Sequence, residues 1–146
     1  MPDDQTPRRL RGIPSRLLTQ AASHAHRLVA QHLGEFRTHH YALLAALAET
    51  GPSSQAALGR RCGMDRSDVT AAVTELAARG LLRRTLDPAH RRRNIITLTA
   101  QGETALQDLD RRVRQAQDEV FAPLTPDERA QLSELLTRLL THHTRP

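Results

Sequence analysis

Three consecutive arginines, Arg91, Arg92 and Arg93, follow Asp87-Pro88-Ala89-His90 in a short polar stretch. Like charges crowded in this way repel unless an anion lies nearby, and an arginine on a narrow projection is well shaped for a DNA minor groove. Upstream, Arg66, Ser67, Thr70, Ala71 and Thr74 recur at a spacing that places them on one side of a helix. Val69, Ala72, Val73, Leu76 and Ala77 occupy the other. Short polar side chains suit a helix that slides into a major groove about 12 Å wide. Arg66 can reach a guanine edge or a phosphate, Ser67 and Thr70 can donate to either, and Ala71 can touch a thymine methyl. Ser54 and Gln55, which open the short helix before it, and Arg84, which follows it, complete the candidate DNA contacts. With Arg83 beside Arg84, roughly four to six charges per subunit can reach phosphates. Asp65 and Asp68 favour helix capping and oppose phosphate. The plain alternatives are a solvated arginine run and the polar outer face of a packed surface helix.

Other chemistry finds little to stand on. There is no G-x-S-x-G, no H-E-x-x-H and no phosphate-binding glycine loop, so no enzyme is expected. The eight histidines include His24 and His26, two apart, and the adjacent pairs His39-His40 and His142-His143. None forms the i, i+4 pair with which a helix grips zinc, and residues 99–122 hold no histidine; neither metal nor cofactor is expected. Cys62, the single cysteine, cannot form an internal disulfide. It reads as a small core hydrophobe and fits a cytoplasmic location.

The elements that must hold these residues are mostly helical. All 21 basic residues are arginine, and Leu and Ala, 22 and 20 in number, dominate the apolar set over five Val and three Ile; this composition favours helix. Three aromatics, Phe36, Tyr41 and Phe121, are too few for an RNA-binding sheet that stacks bases on rings. A length of 146 residues suits one domain, and no apolar run is long enough to cross a membrane. Residues 51–100 carry nine Arg against four acids, whereas residues 101–146 carry six against eight. That basic centre points to a polyanion.

Along the chain, residues 1–12 read as a loose arm and 13–146 as a single domain. Helices are expected over 14–34, 38–50, 55–62 and 65–79. The first has Pro14 in its opening turn, the second stops at Gly51-Pro52, Ser53 or Ser54 caps the third and Asp65 the fourth. Leu82–Leu86 and Asn94–Leu98 alternate as strands of a hairpin, with 87–93 as its polar turn. Thr99 caps a long helix that Pro123 ends. Thr125-Pro126-Asp127-Glu128 then opens the last helix with a capping box, and Leu132, Leu135, Leu136, Leu139 and Leu140 form one stripe. Apolar faces on the terminal helices have no cover within the chain, and a symmetric dimer is the economical answer.

The stretch from Gln55 to Gly102 resembles the winged helix-turn-helix of the MarR family of bacterial transcription regulators. Its most specific part is Asp87-Pro88, then Arg91-Arg92, then Ile96-Thr97-Leu98-Thr99-Ala100-Gln101-Gly102. The resemblance covers about residues 12–143. It implies a mainly α fold with a β-hairpin wing, with 38–99 as the DNA-binding region and 13–34 and 100–146 as dimerisation helices. It further implies a homodimeric repressor on double-stranded DNA, a recognition helix over 66–79 in the major groove, and Arg91 or Arg92 in the minor groove. A small lipophilic or phenolic effector is expected to release it. His32, His39, His40 and Tyr41 lie near where family ligands bind and are the candidate effector contacts; capping and packing are the alternative. Two positions depart from the family pattern: His90 stands where an aspartate commonly orients the wing arginine, and Ala71 replaces a longer side chain. The reading from another class is a helical dimer that binds protein through its winged helix.

Overall fold

The computed structural model describes residues 5–146; the first four residues of the expected arm lie outside it. The described residues form six helices and one three-stranded antiparallel sheet. In order they are α1 (Pro14–Leu33), α2 (Thr38–Thr50), β1 (Ser53–Ser54), α3 (Gln55–Cys62), α4 (Arg66–Ala78), β2 (Leu82–Asp87), β3 (His90–Leu98), α5 (Ala100–Val120) and α6 (Pro126–Thr144). The chain divides into two compact units, one of residues 29–114 and one built from the segments before and after it.

Local chemistry sets the boundaries in the 29–114 unit. The Ser54 hydroxyl accepts from the Ala57 N–H at 3.2 Å and opens α3. Gly63 closes it in the left-handed conformation (φ +63°) that a side chain would strain. Asp65 opens α4 by accepting from the Asp68 N–H at 2.9 Å. Thr99 starts α5 by accepting from the Gly102 N–H at 3.0 Å. The apolar face of α4, Val69, Ala72, Val73 and Leu76, is fully buried against Leu33, Leu43, Leu44, Leu47, Leu58, Ile96 and Leu109. Burial of this kind is the main favourable contribution to folding, about 1.5–3 kcal/mol for each fully covered Leu or Val.

The structure corrects the hairpin in two ways. First, the sheet has a third strand: Ser53 and Ser54 pair with Ile96 and Ile95, giving the order β1-β3-β2. Second, the connection is only Pro88-Ala89, and the three arginines belong to β3 rather than to a long turn. The register jumps between the rungs Leu86↔Asn94 and Asp87↔His90. Arg91, Arg92 and Arg93 therefore form a bulge with no residue opposite them, a device that bends a strand and re-aims its side chains.

In the other unit, Thr125 and Glu128 form a reciprocal capping box at the start of α6. Arg129 donates to the Phe121 and Leu124 carbonyls and to Asp118. No residue of α6 is buried. Leu135, Leu139 and Leu140 are 53%, 49% and 65% exposed, and Leu17 and Leu18 of α1 are 51% and 47% exposed.

Candidate nucleic-acid interface

The outer face of α4 presents Arg66, Ser67, Thr70, Ala71 and Thr74 to solvent. Two neighbouring elements reach onto it. Gln55, the first residue of α3, donates from Nε2 to Thr70 Oγ1 at 3.2 Å. Arg84 of β2 donates from Nη1 to Thr74 Oγ1 at 3.4 Å. Thr70 and Thr74 are one helical turn apart, so Gln55, Thr70, Thr74 and Arg84 make one continuous polar strip across three elements. Ser67 donates to Asp65 Oδ1 at 2.8 Å. The Asp68 N–H most of all, and that bond beside it, hold the Asp65 carboxyl below its usual range. Ser54, in contrast, is 4% exposed and uses its hydroxyl on the helix cap, so it supports the strip from beneath rather than joining it.

At the wing, Asp87 closes the turn and meets Arg93 rather than Arg91 or Arg92. Its Oδ1 accepts from the Ala89 N–H at 2.9 Å and closes the two-residue turn, while Oδ2 lies 3.9 Å from Arg93 Nε. Arg91 and Arg92 are exposed and have no acidic partner among the described residues. Arg93 is thus partly neutralised and its two neighbours carry the open charge.

Spacing gave no sign of the cluster that holds α4 from behind. Arg37 donates to both carboxylate oxygens of Glu75 at 2.7 and 2.6 Å. His40, 2% exposed, accepts the Arg37 N–H on Nδ1 at 2.9 Å. Its proton therefore sits on Nε2, which donates to Glu75 Oε2 at 2.6 Å. Burial lowers the His40 pKa, against the raising effect of Glu75; the hydrogen bond from His40 leads the effects that lower that of Glu75. One turn on, the Arg79 guanidinium lies 4.7 Å from the centre of the Phe36 ring. From α5, Arg112 donates to the Leu33 carbonyl at 3.1 Å and pairs with Asp108 at 2.8 Å. The corner between α1 and α2 is thus tied to both α4 and α5.

Of the candidate effector contacts, His40 and Tyr41 are committed to such ties. The Tyr41 hydroxyl donates to Asp110 Oδ1 at 2.7 Å, and burial pushes its pKa up to about 12. His32 and His39 are half-buried at the end of α1 and the start of α2. Cys62 Sγ donates to the Ala42 carbonyl at 3.5 Å, and burial pushes the thiol up, which favours the inert packed form. Among the described residues, no group of three potential ligands could hold a metal and no helix is long and apolar enough to cross a membrane.

A short helix, a left-handed glycine, an exposed polar helix and an arginine-bearing hairpin together define a winged helix-turn-helix protein. A sequence profile of the MarR family matches residues 37–93. The transcriptional repressor NicR of Pseudomonas putida is 32% identical over 68% of this chain, and the chain spans about 60% of the length of the curated relatives it matches. A probable transcriptional regulator from Pseudomonas aeruginosa superposes with a TM-score of 0.78 at 34% identity, over 86% of this chain and 95% of that one. BpsR of Bordetella bronchiseptica, whose DNA binding is regulated by 6-hydroxynicotinic acid, superposes with a TM-score of 0.77 at 26% identity, over 86% and 96%. The chain belongs to the MarR family.

Proposed function

We propose that this chain is a homodimeric, sequence-specific DNA-binding regulator of transcription, acting in the cytoplasm as a repressor. In this reading α4 enters the major groove, with Arg66, Ser67, Thr70, Ala71 and Thr74 toward the bases. Arg84 and the bulged Arg91 and Arg92 engage the backbone and the adjacent minor groove. The observation that carries it is the continuous exposed strip joining α3, α4 and β2, flanked by two wing arginines with no acidic partner among the described residues. Segments 13–34 and 100–146 pair the two copies, supported by the exposed leucines of α1 and α6. Two-fold symmetry then calls for an inverted repeat with half-sites about 10 bp apart, centre to centre.

A small lipophilic or aromatic acid releases the DNA. The regulation of BpsR by such an acid supports this, as do the ties between the α1–α2 corner and α4, through which a ligand could reach the recognition helix. The test is a salt titration on duplex DNA from upstream of the chain's own gene. Log K should fall linearly with log salt, with a slope of about −0.9 per phosphate contacted. Binding that ignores salt would remove the reading.

A further inference from the structure

We infer that Gln55, on α3, reads an adenine, and that Thr70 of α4 fixes the orientation in which it does so; this rests on the function proposed above. A glutamine amide normally has two orientations that differ only in which end is N and which is O. Here the choice is made by the neighbour. The Thr70 hydroxyl donates its one proton to the Arg66 carbonyl at 2.9 Å. Towards Gln55 it can only accept, so the amide nitrogen faces Thr70 at 3.2 Å and Oε1 faces away. With the N–H anti to Oε1 making that bond, the second N–H and Oε1 are left side by side. Oε1 has no partner among the described residues.

That free edge is one donor beside one acceptor. Phosphate oxygens only accept, so they match half of it. The major-groove edge of adenine, with its N7 acceptor and N6 donor, matches both halves, and no other base presents that pair in that arrangement. The backbone beneath Gln55 is held twice, by the Ser54↔Ile95 rung and by the Ser54 cap on Ala57. A side chain on so fixed a base, with one hydrogen bond already made, loses little freedom on meeting DNA. Thr70 is accordingly a positioning residue: its hydroxyl acts through Gln55.

The experiment selects preferred sites from a random duplex pool with the full chain, then measures relative affinity for all four base pairs at each position. Wild type should prefer A·T at one position of each half-site by roughly tenfold to a hundredfold. Gln55→Ala should flatten that position and leave the others unchanged. Gln55→Glu, which can only accept, should move the preference toward C·G. Thr70→Val should weaken the A·T preference at the same position, and Thr70→Ser, which keeps the hydroxyl, should restore it. A Gln55→Ala profile identical to wild type, or flattened equally everywhere, overturns the inference while leaving DNA binding intact. A wild type that selects no sequence overturns the functional reading itself, and this inference with it.

Discussion

Truncating Leu135 and Leu139 to alanine should split the dimer proposed above. Both side chains are about half exposed, 53% and 49%, and both lie on α6, where no residue is buried. Full burial of a leucine is worth about 1.5–3 kcal/mol, so covering the remaining half contributes about 1 kcal/mol for each side chain. A two-fold interface counts every substitution twice. The double variant therefore loses about 4 kcal/mol of association, close to a thousandfold in dimer Kd. Alanine is the best helix former, so α6 itself should persist, and the far-ultraviolet circular dichroism should match wild type. Sedimentation equilibrium reads the outcome: wild type dimeric at micromolar concentration, the variant shifted strongly to monomer. A stably monomeric wild type, or a variant with an unchanged Kd, would refute the assignment of the exposed leucines to a partner copy.

Three further outcomes follow from the geometry. Arg91→Ala or Arg92→Ala should weaken DNA binding by about 1–3 kcal/mol, and Arg93→Ala by less because Asp87 already partly neutralises it; wild-type affinity in both of the first two would clear the wing of that role. Gly102→Ala should destabilise the fold by about 3 kcal/mol or more in urea denaturation. Its new methyl would enter the Leu81 carbonyl oxygen and come within 2.6 Å of Leu98 Cδ1, so an unchanged midpoint would contradict the packing. Finally, folding lowers the His40 pKa below its ordinary 6.5, so the unfolded chain takes up that proton first. His40 then contributes stability above about pH 6.5 that is lost as pH falls below it. Glu75 adds a second loss beneath its ordinary 4.5. Unfolding measured from about pH 8 to about pH 5.5 should show this slope, and His40→Gln should flatten it; equal slopes would be against it.

Much of this architecture is written locally. The α4 face, the Ser54, Asp65 and Thr125 caps and the glycine at 63 are each decided within a few residues, and each is where the sequence places it. Long-range pairing is not written that way. Two serines between helices give no strand signal, and β1 exists only because Ile95 and Ile96 offer them a partner. Three adjacent arginines read as loop, yet an antiparallel ladder can carry them as a bulge once Asp87 closes a turn two residues long. The solvent-facing residues of α4 were legible from helical spacing. The Arg37–His40–Glu75 cluster behind them was not, because 35 residues separate His40 from Glu75 and nothing in spacing ties a helix start to the back of another helix. His40 illustrates the cost of that blindness. Its position suggests a ligand contact, while its buried ring has both nitrogens already engaged.

On the function proposed above, the joined face of α3, α4 and β2 reads DNA sequence. Its most direct test compares affinity for the duplex upstream of the chain's own gene with affinity for a scrambled duplex of equal length, at one fixed salt concentration near physiological. A preference of at least about a thousandfold is expected, roughly the lower bound for specific binders. Equal affinity for the two duplexes would contradict it.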